Sequence, residues 1–156
     1  DSFFNRFAKL LKISPLFFPL ACYKTKFSPI YVLDLVEMIA NSIKDPDSYN
    51  KSYQLCGPKT YSLKDLVSYT SKTLGSKCVI VPLNNILSRT QAKFFDFLPG
   101  KPFSTDNYLS AQTDSICECN DLFRYNIKAT AIEDVVPQYL SGYEYRSFYS
   151  KFRNNS

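Results

Sequence analysis

The stretch from Lys26 to Ile43, KFSPIYVLDLVEMIANSI, constrains the fold more than any other part of the chain. Its first part, Phe27 to Val32, is rich in β-favouring residues and predicts a short strand. We expect a helix to begin at Asp34 and to pack one apolar stripe against a neighbouring layer. That stripe consists of Leu33, Val36, Ala40 and Ile43, widened by Leu35 and Ile39. A strand that leads directly into a buried helix is typical of an α/β layer.

Other segments predict further strands between helices. Short strands are expected at Ser52–Cys56 and Lys77–Leu83, and the apolar Leu16–Leu20 segment is interpreted as a loop because it lies between prolines. The predicted order is α, β, α, β, α, β, α, α, α. This order indicates an α/β region that continues into a mostly helical C-terminal lobe, without repeats or linkers.

Capping patterns locate several helix ends. Ser62 and Asp65 have the spacing of a capping box at the start of a helix that ends before Gly75. Thr130 and Glu133 predict a second capping box. Asn84 or Asn85 is expected to begin another helix, which ends at Pro99–Gly100, and Ser104 or Thr105 to begin a short one.

Composition narrows the class of protein. The chain has 156 residues, 45% of them hydrophobic, which is enough for one globular domain. The net charge of +5 is scattered, and the small basic cluster of Arg146, Lys151 and Arg153 does not predict binding to nucleic acid. The chain begins at Asp1 immediately before a predicted helix, so we expect it to be a piece of a longer protein. A cytoplasmic location, or one on the inner face of an energy-transducing membrane, is expected.

Few catalytic motifs are compatible with this sequence. It contains no histidine, which excludes histidine triads and histidine metal sites from this chain. Its four glycines form neither a G-x-G-x-x-G motif nor a P-loop. The Tyr-x-x-x-Lys spacing does not occur. The residue four positions after Tyr69, for example, is Thr73. The sequence therefore predicts no catalytic residue and no metal ligand.

The five cysteines are odd in number and irregularly spaced. Most lie in or beside apolar runs, as buried thiols do. The closest pair, Cys117 and Cys119, is separated by one residue, which does not match zinc-ligand spacings. We expect reduced thiols in a reducing compartment.

Three segments resemble the C-terminal half of atypical extended short-chain dehydrogenase/reductases of the epimerase/dehydratase superfamily. They are FSPIYVLDLVEMIANSI, YQLCGPKTYSLKDLV and VPLNNILSRTQAKFFDFLPGKPFSTDNYLSAQTDSI. Within that superfamily, the chain is most similar to the NAD(P)H-binding accessory subunit of respiratory complex I and its bacterial relatives. The resemblance extends in order to about Leu140.

This resemblance implies that the chain contains the last strands of a Rossmann-like doubly wound sheet and the smaller lobe beside the cofactor's nicotinamide end. It also implies that the N-terminal half, with the glycine-rich loop, is missing, so we expect no tight NAD or NADP binding by this chain alone. By position in the family, the substrate- or cofactor-side candidates are Phe4, Asn5, Lys26 and Tyr31. Lys26 replaces an arginine of many catalytic relatives, which weakens bidentate phosphate recognition.

Two functions follow from the resemblance. The first is a non-catalytic, dinucleotide-binding accessory or assembly protein of respiratory NADH dehydrogenase, whose partners are other subunits and whose membrane association is peripheral, through a partner. The second is an NAD(P)-dependent epimerase, dehydratase or reductase acting on a nucleotide-type ligand. A third interpretation is a stable remnant with neither activity.

Overall fold

The computed structural model describes residues 2–14, 16–96 and 105–140. Six α-helices lie in this part of the chain: α1 (Ser2–Ile13), α2 (Val32–Ile43), α3 (Leu63–Thr73), α4 (Asn85–Asp96), α5 (Thr105–Ser110) and α6 (Ile132–Leu140). Four strands accompany them: β1 (Phe17–Leu20), β2 (Lys26–Phe27), β3 (Tyr61–Ser62) and β4 (Val79–Pro82). Short 3-10 turns lie at Pro46–Ser48 and Asp121–Tyr125. The predicted end of α4 at Pro99–Gly100 and the basic cluster of Arg146, Lys151 and Arg153 lie outside the described residues.

The strands form two small sheets. β1 and β4 are parallel, with Phe17 opposite Val79 and Leu20 opposite Pro82. β2 and β3 are antiparallel, and Phe27 makes a further parallel bridge to Ser115. The architecture is therefore α/β, as predicted, and it contains a parallel strand pair.

Two predictions about strands are wrong. The Leu16–Leu20 segment is not a loop, because its residues 17 to 20 form β1 and pair with β4, about sixty residues further along. The Ser52–Cys56 segment is not a strand, because its backbone is held by loop residues near Asn120 rather than by a strand. Both errors concern pairing between distant segments, which local patterns do not reveal.

The start of α2 also differs from the prediction. The strand is limited to Lys26 and Phe27, and the helix begins at Val32, two residues before Asp34. Tyr31 occupies the N-cap without a side-chain cap bond. The Asp34 carboxylate accepts hydrogen bonds from the Thr130 backbone N–H at 2.7 Å and the Thr130 hydroxyl at 2.9 Å. α6 begins at Ile132, so Ala131 rather than Thr130 directly precedes it, and the Glu133 carboxylate accepts from the Tyr61 hydroxyl. The second predicted capping box therefore does not form.

The predicted apolar stripe of α2 faces outward instead of packing against a neighbouring layer. Its buried residues are Asp34 and Met38, while the predicted packing residues Leu33, Val36 and Ile43 are more than half exposed. Ala40 and Ile39 are exposed as well. The helix therefore presents its more apolar face outward.

The core lies mainly between α1, α3, α6 and β1. One cluster contains Phe4, Leu66, Ile132 and Val136, and a second contains Leu11, Leu20, Leu63 and Val67. α3 contributes to both, because its apolar residues recur at helical spacing. Its capping box is formed as predicted: the Asp65 N–H donates to the Ser62 hydroxyl and the Ser62 N–H to the Asp65 carboxylate. Gly75 follows the helix with a φ of 66°, which favours glycine.

Candidate functional site

An apolar groove with a volume of about 860 Å³ lies between α1, α6 and two loops. α1 supplies Phe3 and Phe4 to one wall, and α6 with the preceding Thr130–Ala131 supplies another. The irregular Ser28–Tyr31 segment and the Ser115–Cys117 loop complete it. Sites for small molecules are typically concave, mostly apolar and supplied with a few polar groups.

Backbone hydrogen bonds fix the Lys26–Ser28 segment between two neighbours. On one side β2 pairs with β3. On the other, the Ser115 N–H donates to the Lys26 carbonyl at 2.8 Å, and the Ser28 N–H donates to the Ser115 carbonyl at 2.9 Å. The groove wall is thus anchored along its backbone, as a preorganised site requires.

Gly57 allows a close approach of two loops beside the groove. Its N–H donates to the Ser28 carbonyl at 3.3 Å, and a Cβ at this position would overlap the Pro29 carbonyl. Any other residue would push the two loops apart. The Gly57–Pro58 motif, which contributed to the resemblance, therefore has a local packing reason.

The structure brings two of the four predicted site residues together. Phe4 and Tyr31 both line the groove, and Phe4 is buried in the adjoining core cluster. Asn5 is on the exposed side of α1, and Lys26 projects an exposed side chain from β2; neither lines the groove. The Lys26 backbone N–H instead donates to the Asp114 carboxylate at 2.8 Å.

The groove lining carries no formal charge among the residues that the structure describes. Its polar groups are hydroxyls and an amide, from Ser28, Tyr31, Ser115, Thr130, Gln138 and Tyr139. Arginine and lysine side chains, which usually bind a diphosphate, are absent from this described lining. Its side chains therefore suit an uncharged, flat or apolar group better than a phosphate.

A charged pair lies beside the core cluster of the groove. The Tyr61 hydroxyl donates to the Glu133 carboxylate at 3.0 Å, and Lys59 Nζ lies 3.4 Å from the same carboxylate. Burial, together with this negative neighbour, raises the pKa of Tyr61 to about 12. Burial alone would raise the pKa of Glu133, but hydrogen bonds from its own backbone, Tyr61 and Lys59 hold it below its usual value. Sequence reasoning had assigned Glu133 to a helix cap and missed this pair.

A second polar cluster connects the end of α2 to the turn at Asp121–Tyr125. Arg124 and Tyr125 both donate to the Asp45 carboxylate, at 2.9 Å and 2.8 Å. The hydrogen bond from Arg124, followed by that from Tyr125, lowers the pKa of Asp45. The cluster lies at the chain surface and joins two turns, which is a structural role.

The cysteine prediction is wrong for two of the five thiols. Cys56 and Cys117 form a disulfide, while Cys22, Cys78 and Cys119 are free. Their separation of 61 residues explains why spacing did not indicate the bond. Both partners line the groove.

No family model matches the sequence. Two solved structures share the fold: a dTDP-4-dehydrorhamnose reductase from Bacillus anthracis in complex with NADP, and a nucleoside-diphosphate-sugar epimerase from Staphylococcus aureus. Their TM-scores are 0.57 and 0.62, at 17% and 19% identity. The matches cover 89% and 88% of this chain, and 42% and 48% of those chains. The chain therefore has an epimerase/reductase-like fold and corresponds to part of it.

Curated relatives in sequence indicate the family within this fold class. The chain is 30% identical over 105 residues to NADH dehydrogenase (ubiquinone) 1 alpha subcomplex subunit 9, mitochondrial, of Mus musculus. It is 27% identical over 129 residues to the Arabidopsis thaliana protein of the same name. These matches cover 67% and 76% of this chain, but only 28% and 31% of the relatives. The chain is a distant homologue of this mitochondrial subunit, and the predicted resemblance is confirmed.

In the described part of the chain, none of the helices has the length and apolar character needed to span a membrane.

Proposed function

We propose that the chain is the C-terminal part of an NAD(P)H-binding, short-chain-dehydrogenase-like accessory or assembly protein of a respiratory NADH dehydrogenase, without turnover of its own. The homology to subunit 9 over 105 residues carries this proposal. The relatives are mitochondrial by name, and the chain spans less than a third of their length. On this proposal, an N-terminal Rossmann half with the glycine-rich loop is supplied by the rest of the polypeptide.

The open faces of the chain support such a division. Parallel sheets are normally covered on both sides and contain more than two strands. Here Phe17 and Val79, opposite one another on the parallel pair, are both more than half exposed. The outward face of α2 is also apolar. The missing strands and helices of a doubly wound sheet would cover surfaces of this kind.

The groove supports a binding role rather than turnover. In the family, the corresponding lobe covers the nicotinamide end of NAD or NADP, and Phe4 and Tyr31 are the residues we propose to contact that end. An uncharged, aromatic-rich lining stacks on a neutral ring but offers no proton-transfer group matched to neutral pH. Asn5 and Lys26 remain predictions, to be tested in the longer protein.

The experiment that tests this proposal is native gel electrophoresis of the tagged full-length protein from its own cells. We expect it to migrate with an NADH-oxidising complex of other subunits, and to leave that complex only under conditions that disperse it. A protein that migrates alone, and whose deletion leaves NADH dehydrogenase assembly unchanged, would overturn the proposal.

The alternative is a nucleotide-sugar epimerase, dehydratase or reductase, which the likeness to the two solved structures favours at the level of fold. This function requires a cation for the diphosphate, and Lys26 is the residue proposed for it. In that case Lys26→Ala in the full-length protein would weaken nucleotide-sugar binding, whereas exposed Lys24→Ala, the matched control, would not. On the accessory-protein proposal, neither substitution changes nucleotide-sugar binding.

A further inference from the structure

The Cys56–Cys117 disulfide joins two walls of the groove. Its Cα atoms are 6.2 Å apart, and both residues line the groove. Cys56 belongs to the irregular Lys51–Thr60 loop and Cys117 to the Ser115–Asn120 loop. Among the described residues it is the only covalent cross-link between segments.

Hydrogen bonds between the same two loops are exposed or only partly buried. The Asn120 side-chain amide donates to the Cys56 carbonyl at 2.7 Å. The Glu118 N–H donates to the Gln54 side chain at 3.1 Å. Gln54 also exchanges hydrogen bonds with Asp121, the first residue of the adjoining 3-10 turn, at 2.7 and 2.8 Å. Neither loop forms a helix or strand here. Exposed loop hydrogen bonds open readily, so the disulfide is the stronger restraint on this wall.

The two sulfurs differ in access. Cys56 is 8% exposed, whereas Cys117 is only half-buried and stands beside exposed Glu118 and Cys119. Exchange depends on which disulfide sulfur an attacking thiolate can reach. Because Cys117 is the more exposed residue, we expect a thiol in solution to attack the sulfur of Cys117, with Cys56 as the departing thiolate.

We propose that Cys56–Cys117 is a reversible thiol–disulfide exchange site for small thiols of the glutathione class, and that its opening releases residues 116–120 of the groove wall, while Ser115 stays paired with β2. This inference is independent of the proposed function, since it rests on the geometry of the two loops.

The exchange proceeds in two balanced steps. A thiolate attacks Cys117 Sγ, the Cys56–Cys117 bond breaks, and Cys56 leaves with the bonding electron pair and takes up a proton. A second thiolate attacks the sulfur that the first small thiol contributed to the mixed disulfide, forms the small-molecule disulfide and releases Cys117 as a thiolate, which is then protonated. The protein gains two electrons and two protons, and two thiols become one disulfide. Oxidised glutathione reverses the sequence.

The first test equilibrates the folded chain in buffers of increasing reduced-to-oxidised glutathione ratio, then traps free thiols by alkylation and maps them. We expect Cys56 and Cys117 to become alkylated together as the ratio rises, while Cys119 is alkylated throughout. Hydrogen exchange in residues 52–57 and 116–120 should accelerate on reduction, and exchange in α3 should not.

The second test measures groove occupancy with the neutral apolar probe N-phenyl-1-naphthylamine. Reduction should weaken probe binding about fivefold. This corresponds to about 1 kcal/mol, the cost of ordering one residue of the released wall again when the probe binds. The double variant Cys56→Ser, Cys117→Ser should bind as the reduced chain does and ignore glutathione. Cys119→Ser is the matched control and should retain the full response. Circular dichroism confirms that each variant is folded.

Three results would overturn the inference. Alkylation of all five cysteines in the oxidised chain would show that the bond does not form. Reduction of Cys56 and Cys117 only when the chain unfolds would show that the sulfurs are inaccessible. Equal loop exchange and equal probe binding in both redox states would show that the bond does not restrain the groove.

Discussion

Helices α2 and α3 have similar lengths, 12 and 11 residues, but α3 buries three aliphatic residues whereas α2 buries one apolar residue, Met38. α3 buries Leu63, Leu66 and Val67 in the two main core clusters. α2 is the more apolar of the two, yet its Leu33 is 58% exposed and its buried residues are Asp34 and Met38.

The difference shows that an apolar stripe marks a helix face that is stabilised by burial. It does not show that the residues that bury this face belong to the same 156-residue chain. The apolar face of α3 is buried within this chain, against α1 and α6. α2 attaches through the polar Asp34–Thr130 contact and through Met38, which packs with Leu122 and Ile127, and it leaves its apolar face outward. Contiguous apolar surface of this kind is typical of an interface.

The largest effect is expected at Leu66, in α3. Leu66→Ala should lower the free energy of unfolding by about 2–5 kcal/mol. The Leu66 side chain is 2% exposed, so its removal leaves a cavity in the core. Urea denaturation followed by circular dichroism measures this. A cost below about 1 kcal/mol would mean that α3 is not the centre of the core.

The next effect concerns Asp34, the buried anchor of α2. Asp34→Ala should cost about 1.5–3 kcal/mol, because the Thr130 N–H and hydroxyl lose a charged acceptor. Glu37→Ala, on the exposed side of the same helix, is the matched control and should be nearly neutral. Equal losses in the two variants would show that the Asp34–Thr130 contact does not hold α2.

A smaller effect is expected at the cap of α3. Ser62→Ala should cost about 1 kcal/mol, because the Asp65 N–H loses its acceptor. Lys64→Ala, exposed in the same turn, is the control. Undiminished stability in Ser62→Ala would contradict the capping assignment.

The same cap predicts a pH dependence. Hydrogen bonds from the Ser62 hydroxyl and backbone lower the pKa of Asp65 below its unfolded-state value. Its contribution to stability is therefore complete above the unfolded-state pKa and is lost as the pH falls through the folded-state pKa. The stability difference between the wild type and Asp65→Asn should shrink over that acid range. A difference that stays constant there would contradict the assignment.

The smallest effect is expected on the exposed face of α2. Leu33→Ala should change stability by no more than about 0.5 kcal/mol, because the side chain has little packing to lose in this chain. Leu66→Ala is the same substitution at a buried position, so the difference between the two variants measures the effect of burial alone. A loss comparable to that of Leu66→Ala would show that this face is already covered.

Local interactions were predictable from the sequence. The Ser62–Asp65 capping box, Gly75 after α3, and Asn84 as the acceptor for the Leu87 N–H each depend on neighbours a few residues away. Their chemistry is written in consecutive residues. The family resemblance was also recognisable from linear motifs such as Gly57–Pro58.

Long-range interactions were not predictable in the same way. β1 pairs with β4, Cys56 bonds Cys117, and Asp34 binds Thr130 across 96 positions. In each case no local sequence pattern identifies which distant residue is the partner. Phe4 and Tyr31 were chosen by resemblance and do meet in the groove, but their contact with a ligand remains a prediction.

The central claim is that the outward faces of α2 and the β1–β4 pair are covered by the rest of a longer protein. Hydroxyl-radical footprinting tests it directly, by comparing the 156-residue chain with the protein purified from its native cells. Oxidation of Leu33, Phe17 and Val79 should be high in the chain and fall in the native protein to the level of buried Leu66. Equal oxidation of these residues in both samples would contradict the account.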